Sequence, residues 1–251
     1  MYREFQPAPH LKRFVECYWH RHDAFPDPRH RVLPDGCSDI LFTSESGEPA
    51  RLSFLGLMTV PLESPVAAQT QFFGIRFRPA MASSFLRELA ALPNSNITLN
   101  DDACGRRLFV QLAEACTPEQ MIACAESYLG SPKFDPPPPI LSAALEGLHT
   151  EDPIRPATAG SQRHLRRLCR EHTGISPKLL SRILRFRRAV ERLRQRPQVR
   201  WADFAAACGY FDQAHLIREF QEFAGETPGR FLQSLRDEAR IESGHGAITQ
   251  T

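Results

Sequence analysis

Shifted by 51 residues, this chain matches itself. SQRHLRRLCREHTGISPKLL (161–180) lies on DQAHLIREFQEFAGETPGRF (212–231) with seven identities in twenty positions. Gln162 falls on Gln213, His164 on His215, Leu165 on Leu216 and Arg167 on Arg218; Glu171 falls on Glu222, Gly174 on Gly225 and Pro177 on Pro228. Cap residues keep the register: Ser161 stands opposite Asp212, and Ser176 opposite Thr227, each of the last two before a proline. A repeat at fixed offset restricts the fold to two copies of one supersecondary unit. Each copy reads as a helix followed by a second, capped helix. A long Arg-rich helix, about Pro177 to Arg196, joins them, apolar at Leu180, Ile183, Leu184, Val190 and Leu193.

The second copy is the more complete. From Val199 to Gly225, Ala202, Phe204, Ala205 and Cys208 give a short first helix one small, apolar side. Gly209 follows where a left-handed residue stops it, and Asp212 is placed to cap the next helix. Leu216, Phe220 and Phe223 recur at i, i+4 and i+7 as its buried stripe. The opposite face presents Gln213, His215, Arg218 and Gln221, groups that suit base edges in a major groove. Before the first copy the same offset holds EDPIRPATAG, where Pro153 and Pro156 forbid an ordinary supporting helix. That helix is expected to be shortened, displaced or absent, with Ile140–Leu148 as its replacement.

Charge agrees with a polyanion partner for this region. Residues 155–240 carry 18 Lys and Arg against 9 Asp and Glu, net +9, while the rest is net −7, beneath an overall +2. Seventeen of those 18 are Arg, the side chain suited to bidentate contact with phosphate and guanine.

Two reading units joined by one long helix resemble the AraC/XylS family of bacterial transcription regulators. The resemblance rests on GYFDQAHLIREFQEFAGETPGRF and on the connecting GISPKLLSRILRFRRA, and covers about a third of the chain. It implies an all-helical domain with two helix-turn-helix units at successive major grooves of double-stranded DNA. Base-reading positions then fall on Gln213, Ala214, His215 and Arg218, and on Gln162, Arg163, Arg166 and Arg167. Phosphate contacts fall to Arg185, Arg187 and Arg188 and to capped helix ends. RNA polymerase, a small-molecule effector and a second copy of the chain are further partners such a regulator implies.

The first 80 residues favour strands: FVECYWHRH, RHRVLPDGCSDILF, RLSFLGLM and TQFFGIRFRP, the last alternating Phe73, Ile75 and Phe77 with Gly74, Arg76 and Arg78. Helices are expected near Met81–Leu92, Asp102–Ala115 and Pro118–Leu129, the last with Thr117 as cap. The fold class is α+β: a β-rich, barrel-like sensor or oligomerisation domain at 1–130, a Pro-rich linker at 131–139, the helical DNA-binding domain at 140–240 and a polar tail at 241–251. RVLPDGCSDILF and FFGIRFRPA resemble, more loosely, a sensor domain that precedes some AraC-type regulators.

Other chemistry is weakly supported. Cys17, His20, His22, His30, Asp35 and Cys37 lie within 21 residues, yet no pair has zinc-site spacing. A metal- or redox-responsive regulator using Cys17, His20, His22, His30 and Cys37 is one alternative reading, and a helical protein–protein interaction module is another. Trp19, Phe73 and Phe77 read as core. The pattern offers no catalytic residue, no cofactor and no membrane span. The seven scattered cysteines and the absence of a signal-like start suggest reduced thiols in the cytoplasm.

Overall fold

The computed structural model describes residues 2–27, 30–101, 105–130, 136–149, 159–195 and 199–245. The N-terminal part contains β1 (Tyr2–Phe5), β2 (Val15–Asp23), β3 (Arg31–Val32), β4 (Ser38–Ser44), β5 (Arg51–Leu55), β6 (Leu62–Glu63), β7 (Thr70–Phe77) and β8 (Asn96–Thr98). Six form one antiparallel sheet in the order β1-β2-β7-β4-β5-β8, with β1 and β8 at its edges; β3 and β6 pair separately. Period-2 alternation decides which face is covered. Phe73, Ile75 and Phe77 of β7 join Tyr18 of β2 and Ile40 and Phe42 of β4 in one buried cluster.

Helices follow from local signals with one exception. Where a helix over Met81–Leu92 is expected, the chain makes a 3-10 turn at Met81–Ser84 and a single turn, α1 (Arg87–Ala90). Ser83 and Ser84 are buried there, and Ser83 Oγ donates to the carbonyl of Ala80 (2.7 Å), which holds the segment in turn geometry. Helices α2 (Arg106–Glu114) and α3 (Pro118–Leu129) cover the sheet's core face through Leu108, Leu112, Met121 and Ala125. The Thr117 hydroxyl accepts from Gln120 N–H while the Gln120 side chain accepts from Thr117 N–H, the capping box read from TPEQ.

Trp19 is not part of that core. It lies on the opposite sheet face, where its indole N–H donates to Asp39 (3.0 Å) and Arg76 approaches both Asp39 (3.4 Å) and Asp35 (3.7 Å). Burial raises the Asp39 pKa, and Arg76 offsets this only in part.

The helical part comprises α4 (Pro139–His149), α5 (Ala159–Thr173), α6 (Pro177–Gln195), α7 (Trp201–Ala207), α8 (Gln213–Ala224) and α9 (Pro228–His245). Leu141 and Leu145 of α4 pack into the same cluster as Leu165, Leu168, Leu180 and Ile183. Ile140–Leu148 therefore supports the first unit as expected, while residues 151–158, which hold Pro153 and Pro156, lie outside the described residues.

The two parts are joined by specific contacts. Leu57 and Ala80 are buried in the helical cluster. The RVLPDGC loop docks on α6: Gly36 has φ 83°, and a Cβ there would stand 2.7 Å from Leu184. Glu16 receives Arg187 of α6, whose guanidinium donates to Oε2 at 3.1 Å and also pairs with Oε1, and Cys37 Sγ donates to the same carboxylate at 3.4 Å. Arg31 donates to the Ala224 carbonyl at the end of α8 (2.9 Å) and pairs with Glu226 (2.5 Å). His172 of α5 meets Ser83 at 2.6 Å. Since the Ser83 proton goes to Ala80, the imidazole Nδ1–H is the donor in that bond. Among the described residues no helix is long and apolar enough to cross a membrane.

Burial works against ionising Glu16, but the hydrogen bond and charge of Arg187 outweigh it, and the pKa lies below its ordinary value. A depressed carboxylate pKa contributes stability that is full above the unfolded value of about 4.3 and is lost as pH falls through the folded value. Wild-type protein should lose more urea resistance between pH 6 and pH 3.5 than Glu16→Gln does. Parallel losses in the two proteins would show that the pair does not contribute in this way.

Candidate nucleic-acid interface

In the second unit, Phe204, Ala205 and Cys208 of α7 are buried, but Ala202, expected on that side, is exposed because it faces away from α8. Gly209 (φ 73°) turns the chain, and its N–H donates to Ala206. Asp212 accepts from His215 N–H (2.6 Å) and starts α8 as read. Leu216, Phe220 and Phe223 are fully buried, with Phe186 of α6 edge-on to Phe220 at 5.0 Å. That stripe fixes which way α8 faces: Gln213, Ala214, Arg218 and Gln221 are exposed.

His215 behaves differently from its neighbours. Its ring is half-buried edge-on to Tyr210, Nδ1 accepts from Phe211 N–H (3.4 Å), and Nε2 lies 3.4 Å from Glu219. A base contact from His215 would require it to leave these partners. The repeat counterpart, His164, is exposed and lies 3.2 Å from Arg167, which also pairs with Glu171 at 2.7 Å along α5.

Under α8 lies a buried carboxylate that sequence reading passed over. Glu219 is 2 % exposed and accepts from Arg182 Nε and Arg185 Nη2, both at 2.8 Å. Arg182 also pairs with Glu222 and stacks on Phe223, and Arg185 lies over the Tyr210 ring at 4.8 Å. The signal was present. Glu219 interrupts the stripe Leu216–Phe220–Phe223 and needs a cation, while Arg182 and Arg185 share one face of α6. At the repeat offset, Glu219 corresponds to Leu168, a buried apolar residue.

The expected site residues do not all lie together. Gln162, Arg166, Arg185, His215 and Arg218 line one open groove of about 1080 Å³ between α5 and α8, floored by α6. Gln162, Arg163, Arg166 and Arg167 are all exposed on α5. Arg187 and Arg188, expected at phosphates, instead line a 380 Å³ cavity against Glu4, Glu16 and Cys17 of the N-terminal part. Arg187 is engaged with Glu16, because that carboxylate is the nearest strong acceptor on the docked sheet. A phosphate contact from Arg187 requires that pair to open.

The cysteine and histidine cluster is dispersed. Cys17 and His20 project from opposite faces of β2, as an odd separation dictates. Burial pushes the Cys17 thiol up to about 12 and raises Cys37 as well. His20 bonds Gln71, and His30 bonds Arg21. Among the described residues no three His, Cys, Asp or Glu side chains are grouped to hold a metal ion.

Ser161, expected as a cap, lies inside α5, which begins at Ala159, so of the two units' first-read caps only Asp212 stands at a helix start. Two helices with exposed Gln and Arg faces, braced on a shared connecting helix, define a double helix-turn-helix domain, and the chain is a DNA-binding transcription regulator. Residues 157–234 match the family model described as a helix-turn-helix domain, a span that contains every residue of the repeat. Residues 3–97 match a second family, described as a domain of unknown function (DUF6597). No curated protein matches the chain. Among solved structures, ToxT from Vibrio cholerae O395 is similar at 12% identity and TM-score 0.42, covering 86% of this chain and 98% of that one. A second Vibrio cholerae ToxT structure gives 10% identity and TM-score 0.41, with 85% and 97% covered. A third, of the O395 protein bound to (E)-4-(8-methylnaphthalen-1-yl)but-3-enoic acid, gives 12% and 0.39, with 86% and 99% covered.

The Glu219 arrangement makes an asymmetric prediction. Replacing both Arg182 and Arg185 by Ala strands a buried carboxylate and should cost about 3–5 kcal/mol. Glu219→Leu, which copies Leu168, leaves Arg182 paired with Glu222 and Arg185 partly exposed, and should cost less, about 1–2 kcal/mol. Urea unfolding of both variants checks this, and equal losses would contradict it.

Proposed function

We propose that the chain reads a specific double-stranded operator through α8 and α5, under the control of its N-terminal domain. The observation that carries this reading is the groove between the two helices, where Gln162 and Arg166 of one unit and Arg218 of the other line one surface above α6, whose Arg182 and Arg185 are paired with Glu219 and Glu222. Base contacts are assigned to Gln213, Ala214 and Arg218 in the second unit, and to Gln162, Arg163, Arg166 and Arg167 in the first. Phosphates are assigned to the N-terminal ends of α6 and α9, capped by Ser176 and Thr227, and to the exposed arginines around them. The acidic N-terminal domain, about 1–130 with its boundary at 131–139, stays off the DNA. It acts as the receiver of a small-molecule effector or of a second copy, in a cytoplasmic, non-enzymatic regulator that works on RNA polymerase. An effector at the cavity beside Glu16 and Arg187 would act directly on α6, and one that moved β3 would act on the end of α8 through Arg31.

Binding titrations test the reading. If several phosphates are neutralised, the log–log salt slope of the full chain should be on the order of −5. Arg218 projects from a helix braced by α7 and by the Glu219 pairs. Arg218→Ala should cost roughly 1–3 kcal/mol at the preferred site and relax the choice at one base pair. Arg167 is already held along α5 by Glu171, so Arg167→Ala should weaken binding less and more evenly across sequences. A flat salt response would remove the DNA reading; equal losses with equal relaxation would show both units reading alike.

A further inference from the structure

Phe211 is the most exposed of the large hydrophobic side chains among the described residues, at 93 %. It stands between the buried Tyr210 and the cap residue Asp212, immediately before the first turn of α8. No stripe of α7 or α8 includes it, so the fold itself gives the ring nothing to cover. Its backbone is fixed all the same: Tyr210 N–H donates to Ala205 (2.9 Å), and Phe211 N–H donates to His215. The ring is thus presented from a rigid turn. It lines the groove that also holds Arg166, Arg170, Arg185 and Arg218.

An exposed aromatic ring among arginines calls for a partner that is anionic yet carries an apolar projection. The major groove supplies both, in its phosphates and in the C5-methyl of thymine, which apolar side chains such as Phe contact. Recognition helices enter that groove by their N-terminal residues, and Phe211 precedes the first two, Gln213 and Ala214. Resting on the DNA-reading role proposed above, we infer that Phe211 is a specificity-determining residue that packs on thymine methyl groups beside the bases met by Gln213, Ala214 and Arg218. It adds to the second unit a preference for thymine that hydrogen bonding alone does not supply. The first unit has no counterpart, since the residue at the same offset is Gly160.

The test uses the full chain and the duplex it enriches from random DNA. Each thymine of that duplex is replaced in turn by deoxyuridine, which removes one methyl and leaves every hydrogen-bonding group in place. Wild-type protein should bind about fourfold more weakly at one or two adjacent positions, the loss of one buried methyl. Phe211→Ala should bind thymine and uracil duplexes equally at those positions while keeping its base preference elsewhere, which also shows that the variant is folded. The inference is overturned if Phe211→Ala keeps the wild-type thymine-to-uracil ratio, if it weakens both duplexes alike, or if the second unit's half of the site contains no thymine. Failure to enrich any duplex is a different result: it removes the DNA-reading role itself, and this inference with it.

Discussion

Glu219 sits on the buried stripe of the second reading helix, and the two guanidinium groups that reach it from α6 tie that helix to the connecting helix. A buried carboxylate is costly alone and tolerable only when paired, so the pairing admits few registers of α8 against α6. Phe186 packing on Phe220 and Phe223 supplies the contact area, and the ion pairs select the register. Everything that faces outward from α8, from Phe211 through Arg218, is oriented by that choice. The first unit achieves its packing with Leu168 in the same place, so the two units share a plan but not a locking chemistry.

The N-terminal part grips the reading head at three points. Arg31 holds the C-terminal end of α8, Glu16 and Gly36 hold α6, and Ser83 holds α5 through His172. These are the elements whose relative placement sets the spacing of the two reading surfaces. Under the proposed function, a signal received by the sheet would have short mechanical routes to α5, α6 and α8. The polar network that runs from Trp19 through Asp39 and Arg76 lies on the sheet face opposite the apolar core. That face is a second, charged layer behind the core.

Much of this was legible in the chain. The repeat fixed two units and their connecting helix, because caps, glycine and stripe all obey local rules that hold regardless of context. TPEQ announced α3, and the alternation of Phe73, Ile75 and Phe77 announced the central strand. What escaped depends on contacts distant in sequence. Edge strands β1 and β8 are short and partly exposed, so no alternation marks them. The break after Ser84 follows from a hydroxyl drawn inward toward His172, 89 residues away. Arg185 and Arg187 carry the charge expected of phosphate contacts, but only the folded chain places Glu219 and Glu16 within their reach. Phe211 was visible as an aromatic outside every stripe, a sign whose meaning depends on knowing which face of α8 is exposed.

In the proposed function, two helices of one chain read one face of a duplex at successive major grooves. Methylation-interference mapping on DNA enriched by the full chain tests it most directly. Two clusters of interfering bases on the same face, about one helical turn of 10–10.5 base pairs apart, are the predicted result. A single cluster covering only one groove would contradict it.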